Sequence, residues 1–289
     1  MEKIKTAVIP VAGLGTRLLP LTLSVMKPML PVGRKPAVQY VVEEMLSSGL
    51  QQIIFITGRE EQTIKDHFAP DAEFLKRIDD KGSWRRYYLR TNDAKFLFVR
   101  QRIPRGSGHA VLQARKAVGN EAFVLALGDS IITNGDVLVK KMIQVQHERD
   151  AAAVIAVRQE PDEMLGNYGV VVPESVEKEG VLDIRGLVEK PAPGKAPSNL
   201  AVTARYILTP EIFSAIEQTR PRGTGEWQLS DAIVKLIKDG KRVCAVVMNA
   251  KQERLDIGNF SGYYKAFTHF ALQDKKCGEE LRRFLTQIL

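Results

Sequence analysis

The sequence predicts an α/β fold, a Rossmann-like, mainly parallel sheet flanked by helices with a smaller inserted sheet layer. Three observations predict it. Short Val- and Ile-rich runs alternate with helical patterns over about the first 160 residues, the rhythm of βαβ units whose strands are buried on both faces. The first of these runs breaks at Gly13 and Gly15, at the end where a parallel sheet presents ligand-binding loops. Beyond about residue 160 the extended runs follow one another without long helices between them, which marks the inserted layer. No Pro-, Gly- or Ser-rich linker divides the 289 residues. A single domain is expected, with parts at about 1–160 and 161–258 and a C-terminal helical segment at 259–289.

In chain order, Thr6 to Val11 reads as a buried strand, and Pro36 to Ser48 reads as a helix stopped by Gly49. Further strands fall at Gln52 to Thr57, Phe96 to Arg100, Ala122 to Leu127 and Ala152 to Val157. The helices Glu60 to His67, Gly108 to Val118 and Val137 to Glu148 fill the intervals. The shorter extended runs are Tyr168 to Val172, Val181 to Val188 and Leu200 to Leu208. Thr209-Pro210-Glu211 reads as a helix start, Thr209 the N-cap and Pro210 the first helical residue, with the helix running to about Gln218. A helix capped by the segment Glu226 to Asp231 follows Gln228, Arg242 to Val247 is a strand, and Tyr263 to Leu289 ends the chain as helix.

Composition narrows the function. With 44% hydrophobic and 26% charged residues the chain can bury a core and is not disordered. No apolar run reaches the roughly 18 residues of a membrane span, and the first residues lack a signal-peptide stretch, so a cytoplasmic protein is expected. Cys244 and Cys277 have neither disulfide-framework nor zinc spacing. The net charge of +8 is compatible with nucleic acid, an anionic membrane surface or a polyphosphate substrate. The nearest basic patch, Lys81, Arg85, Arg86 and Arg90 around Trp84, Tyr87 and Tyr88, reads as a solvated face or subunit contact rather than an RNA-stacking surface. His67, His109, His147 and His269 form no triad or metal spacing and no nucleophile elbow is present, so covalent catalysis is not expected.

The chemistry-bearing residues begin at Ala12-Gly13-Leu14-Gly15-Thr16-Arg17. Two glycines let backbone N–H groups approach phosphates, but Leu18 stands where a dinucleotide fingerprint needs its third glycine, and the loop is no P-loop. Arg17, with Lys27 on the Pro-stiffened segment Lys27 to Pro31, supplies the paired cations that stabilise a departing pyrophosphate. Asp129 ends an apolar strand and fits either a turn or a magnesium site, as does Asp256. Gln101 by itself reads as a strand-end surface residue.

Together these strings resemble a known family. Gly13-Leu14-Gly15-Thr16-Arg17, Lys27 to Pro31, Arg100-Gln101, Gly106 to Val111, Asn167 to Val171, Gly186 to Pro191 and Arg205 to Glu211 are similar to the sugar-1-phosphate nucleotidyltransferases, in particular the bacterial UTP–glucose-1-phosphate uridylyltransferase branch. The resemblance covers residues 4 to 270. It implies that Ala12, Gly13, Gly15, Gln101 and Gly106 contact the nucleotide and that Gly169, Glu189 and Lys190 hold the sugar 1-phosphate, Lys190 at its phosphate. It further implies that Asp129 and Asp256 bind Mg²⁺, Asp129 also facing the nucleotide, and that Arg17, Lys27 and Lys190 supply catalytic charge. The substrates implied are UTP and glucose 1-phosphate, with no nucleic acid or membrane partner, in a homodimer or homotetramer. Leu23, Pro28 and Ser130 depart from the branch, where Lys, Glu and an acidic residue are common, and they leave a thymidylyltransferase or other sugar-1-phosphate nucleotidyltransferase as alternatives. A non-catalytic nucleotide-sugar-binding paralogue is the alternative of another class.

Overall fold

Alternation decides which way each residue of the first strand faces. In a computed structural model that describes residues 4–71, 73, 94–174, 179–219, 221 and 225–289, β1 (Thr6–Pro10) sends Ala7 and Ile9 into one core and Val8 into the other. The helices Ala37–Ser47 and Gly135–Arg149 cover the first face, and Ser107–Gln113, Glu211–Gln218 and Leu229–Lys238 cover the second. Both faces are thus apolar, which is why these strands read as continuous hydrophobic runs. The basic cluster between Lys81 and Arg90 lies outside the described residues.

Twelve further strands follow in the described chain. They are β2 (Pro31–Val32), β3 (Lys35–Pro36), β4 (Gln52–Thr57), β5 (Lys95–Arg100), β6 (Phe123–Ala126) and β7 (Ser130–Ile132). The second half adds β8 (Ala153–Gln159), β9 (Gly169–Pro173), β10 (Val181–Glu189), β11 (Leu200–Leu208), β12 (Val243–Val247) and β13 (Arg254–Asp256). Eight of them join β1 in a nine-stranded sheet of order β5-β4-β1-β6-β11-β8-β12-β10-β9. The half built on β1 is parallel, β1 pairing β4 and β6 and β4 pairing β5. β11 enters antiparallel to both β6 and β8, and β10 is antiparallel to β12 and β9. β9 also meets β11 at Val170 and Ala201, so the inserted strands are continuous with the main sheet and curl back onto it.

β11 carries the joint between the two halves. Its register shifts between Val202 and Tyr206, where Ala204 takes a φ of 65°, as in a β-bulge that bends its strand. The next residue, Arg205, is fully buried and donates from Nε and Nη2 to the two Glu44 carboxylate oxygens at 2.7 and 2.6 Å. It also donates to the Ser130 carbonyl at 2.9 Å and the Ala204 carbonyl at 3.0 Å. Burial is the largest influence on Glu44 and raises its carboxyl above the ordinary range despite the guanidinium beside it.

The sequence expectations hold for most elements and fail at four places. The helix expected over Gly108 to Val118 is two, Ser107–Gln113 and Arg115–Val118, broken at Ala114. Thr209 does not cap the helix Glu211–Gln218; its hydroxyl donates to the Ala152 carbonyl at 3.0 Å and Pro210 takes the cap position without a side-chain bond. Gln228 precedes Leu229–Lys238 without a side-chain cap either, because the Leu229 N–H is taken by Ser107 Oγ at 3.1 Å. The C-terminal helix is two helices, Phe260–Leu272 and Gly278–Ile288. Asp274 interrupts it by accepting the N–H groups of Lys276 and Cys277 at 2.8 and 2.9 Å, a local bond that competes with helix. Among the described residues no helix is long and apolar enough to cross a membrane.

Arg205→Leu leaves a buried carboxylate at Glu44 without its partner. Denaturant unfolding should show a loss of about 3–5 kcal/mol; a loss below about 1 kcal/mol would mean that the pair contributes little to stability.

Candidate active site

At the carboxyl end of β1 the chain turns at Gly15, whose φ of 66° and carbonyl bond from Thr22 Oγ1 at 2.9 Å fold the loop back on itself. A Cβ there would lie 2.9 Å from Thr22 Cγ2, so the turn admits only glycine without rearrangement. This loop opens into a cavity of about 480 Å³ lined by Ala12, Gly13, Gly15, Lys27, Gln101, Gly106 and Asp129, among others. A smaller cavity of about 190 Å³ adjoins it, sharing Ala12, Gly13, Lys27 and Gln101 and adding Arg59 and Arg102.

The far wall is set by close backbone packing. Gly106 has a φ of 95°, and a Cβ on it would sit 2.5 Å from the Trp227 carbonyl. The Trp227 N–H donates to the Arg105 carbonyl and the Gly108 N–H to the Trp227 carbonyl, each at 2.8 Å. Ser107, besides accepting the Leu229 N–H, lines both the 480 Å³ cavity and a third of about 270 Å³. That third cavity is lined by Tyr168, Gly169, Glu189, Tyr206, Ser230 and Arg254 and shares Pro10 and Leu127 with its neighbour. Among the described residues, Ser230 Oγ there is buried without a hydrogen-bond partner. Burial, and then the Glu189 charge, pushes the Tyr206 hydroxyl well above its ordinary pKa, so it is a neutral donor at any working pH.

The two expected metal-binding carboxylates are brought together by pairing of β7 with β13. Asp256 lies opposite Ser130, and the Ile257 N–H donates to the Asp129 carbonyl at 3.1 Å. Each carboxylate already holds a cation of the protein. Lys27 Nζ donates to Asp129 Oδ2, and Arg254 Nη2 donates to Asp256 Oδ2. Burial works to raise the Asp129 carboxyl, but the Lys27 charge and hydrogen bond and the Arg254 charge outweigh it and hold the group below its usual range. Asp256 Oδ1 accepts the Gly258 N–H at 2.7 Å. Arg17 stands beside it, its Nη2 3.2 Å from the position a Cβ on Gly258 would take.

Gly169 and Glu189 pair across β9 and β10, and the position of a Gly169 Cβ would be 3.3 Å from Glu189 Oε2. Lys190 differs from a continued strand. Its φ is 44° and its N–H donates to the Tyr168 carbonyl at 3.0 Å, so the chain turns and leaves its side chain exposed, outside the three cavities. A left-handed lysine is a costly conformation, of the kind that collects at binding sites.

Arg254 was not among the residues singled out from sequence. Its side chain is 8% exposed, its Nε donates to Ser130 Oγ at 2.9 Å, and its guanidinium lies 5.0 Å from the centre of the Tyr168 ring. It therefore ties the Glu189 cavity to the Asp256 carboxylate. The alternation Arg254-Leu255-Asp256 was the available signal, since residues two apart on a strand share a face.

The chain is similar to known proteins over nearly its whole length. The family described as nucleotidyl transferase matches residues 6–273. A UTP–glucose-1-phosphate uridylyltransferase of Streptococcus pneumoniae is 41% identical over 99% of this chain and 97% of its own. One of Streptococcus pyogenes is 42% identical over 100% and 97%. Among solved structures, a UTP-bound UGPase from Acinetobacter baumannii superposes with a TM-score of 0.88 at 35% identity, covering 99% of this chain and 100% of that one. A UDP-glucose pyrophosphorylase complexed with UDP-glucose gives 0.84 at 33% identity, covering 94% and 100%. With a glycine loop, paired carboxylates and full-length similarity of this extent, the chain belongs to the nucleotidyl transferase family, in its UTP–glucose-1-phosphate uridylyltransferase branch.

Proposed function

We propose that the chain transfers a uridylyl group from UTP to glucose 1-phosphate, giving UDP-glucose and pyrophosphate. The observation that carries this reading is the adjoining pair of cavities, one on the glycine loop with Asp129 in its wall and one on Gly169 and Glu189, which share Ser107, while β13 pairs Asp256 with the residue next to Asp129. An oxygen of the sugar phosphate attacks the α-phosphorus of UTP in line, a new P–O bond forms, the bond between α-phosphorus and its bridging oxygen breaks, and pyrophosphate leaves. The nucleophile is already ionised at neutral pH, so the chain supplies alignment and charge rather than a general base.

In this reading Ala12, Gly13, Gln101 and Gly106 contact the base, and the N–H groups around Gly15 face the phosphates. Arg17 and Lys27 neutralise the departing pyrophosphate, while Glu189 and the backbone at Gly169 hold sugar hydroxyls and Lys190 the sugar phosphate. Asp129 and Asp256 suit a divalent ion because one carboxylate immediately precedes β7 and the other ends its partner strand β13, each with lone pairs beyond those its protein cation occupies. Mg²⁺ held there would bind phosphate oxygens and stabilise charge on the reacting phosphates. About 1–160 then serves the nucleotide and about 161–258 the sugar within one domain. The same reading places the enzyme in the cytoplasm as a homodimer or homotetramer, supported by the exposed apolar face of Phe267, Phe284 and Ile288 on the C-terminal helices.

Pyrophosphate release measured over UTP, dTTP, ATP and GTP with several sugar 1-phosphates should be fastest for UTP with glucose 1-phosphate. It should keep partial rates with dTTP, fall by about 10⁴-fold with the purines and stop in EDTA. A purine preference would overturn the uridylyl assignment, and no release with any pair would overturn the enzyme reading.

Two lysines should separate kinetically. Lys27→Ala should lower kcat/KM for UTP by about 10²-fold, from a lost transition-state charge contact, whereas Lys190→Ala should chiefly raise KM for glucose 1-phosphate with UTP binding by calorimetry retained. Loss of UTP binding in Lys190→Ala alone would reverse the assigned roles.

A further inference from the structure

Gln101 does not stand alone at the cavity wall. It is 4% exposed, its N–H donates to the Thr57 carbonyl at 2.8 Å, and its side-chain Nε2 lies 2.8 Å from His109 Nδ1. The other ring nitrogen, His109 Nε2, lies 3.3 Å from the Gln113 carboxamide nitrogen. The ring is set edge-on to Trp227, their centres 5.8 Å apart, on the segment that packs against Gly106 and Gly108. Burial, and then the Arg105 charge, lowers the pKa of the ring, so it is neutral at physiological pH.

A neutral imidazole has one N–H and one acceptor nitrogen. Amide nitrogens at both ring positions cannot both donate, so one carboxamide must turn its oxygen to the ring. The contact at 2.8 Å is the well-formed one. With Gln101 as the donor at that contact, Nδ1 accepts and the ring proton sits on Nε2; Gln113 then turns its oxygen to Nε2 and gives up the 3.3 Å bond from its own Nε2 to the His109 carbonyl. Gln101 has two amide hydrogens, and only the one beside its oxygen belongs to the edge that can pair with a base. The other hydrogen is spent on His109. What remains for the cavity is Oε1 with the adjacent N–H, an acceptor and a donor in fixed order.

We propose that His109 is a positioning residue for nucleotide selection: by accepting from Gln101 it fixes which way the Gln101 carboxamide faces, and so which base edge the site accepts. A carboxamide freed from that bond turns over about its last torsion at little cost and presents donor and acceptor in either order. The proposal rests on the assignment of Gln101 to the base. It requires no contact between His109 and the nucleotide, only the one hydrogen bond to Gln101, which a residue with an acceptor at the same place can replace.

Three variants test it, each checked for an unchanged melting temperature, with kcat/KM for UTP and CTP read side by side. CTP is the informative competitor because its pairing edge exchanges donor and acceptor relative to uracil at the exocyclic group and ring nitrogen. His109→Leu should lower the UTP/CTP ratio by about tenfold, the size of one hydrogen bond, mainly through KM for UTP with kcat nearly kept. His109→Asn, whose Oδ1 can stand where Nδ1 stood, should keep the ratio within about threefold of the parent protein. Gln101→Ala should lower the ratio, and adding His109→Leu to it should change the ratio no further. If Gln101→Ala lowers the ratio while His109→Leu leaves it intact, or if Asn fails to restore what Leu removes, His109 does not orient the amide. If Gln101→Ala itself leaves the ratio intact, the assignment of Gln101 to the base falls, and this proposal with it.

Discussion

Arg205 is the constraint on which the catalytic end of the sheet depends. A guanidinium with no exposure to water must have its charge matched and its N–H groups occupied, or it costs several kcal/mol. Glu44 supplies the charge from the helix Ala37–Ser47, and the carbonyls of Ala204 and Ser130 take further donors. The helix, the bulge of β11 and the start of β7 are thereby held to one point. Since Ser130 follows Asp129 and lies opposite Asp256, the positions of both carboxylates follow from the satisfaction of one buried cation.

Around that point the site is arranged as opposed charges already in contact. Lys27 rests on Asp129 and Arg254 on Asp256. In the proposed reaction Lys27 exchanges its carboxylate for phosphate oxygens, a change of partner over a short distance rather than a charge brought in from solvent. Such prearranged charge costs little reorganisation at the moment of transfer, which is the usual source of large electrostatic rate effects. Arg254, fixed by Ser130 Oγ, Asp256 and the face of Tyr168, has no comparable freedom and serves as a rigid link between the carboxylates and the cavity of Glu189.

What the sequence disclosed follows from how local each signal is. The Val and Ile runs gave the strands within a residue or two, because burial on both faces leaves no polar positions to confuse the pattern. Gly13, Gly15 and Asp129 were legible since each marks the end of a strand. The failures are long-range. Ser107 caps a helix that begins 122 residues later, and no local reading finds such a cap. Thr209 had the right chemistry for an N-cap, yet the Ala152 carbonyl on the neighbouring strand took its hydroxyl. That the chain turns at Lys190 shows only in its left-handed backbone. Arg254 could have been found from its spacing to Asp256, but its tie to Ser130 comes from the antiparallel pairing of β13 with β7, which sequence spacing does not encode.

The proposed transfer is one direct displacement, made across two adjoining cavities with no group of the protein bonded to phosphorus on the way. The stereochemical course at phosphorus tests this most directly. With UTP carrying a single sulfur of known configuration on its α-phosphorus, transfer to glucose 1-phosphate should give UDP-glucose with inverted configuration at that atom. Retention would rule out a single displacement, because it requires two displacements and a nucleotidyl group carried covalently by a side chain between them.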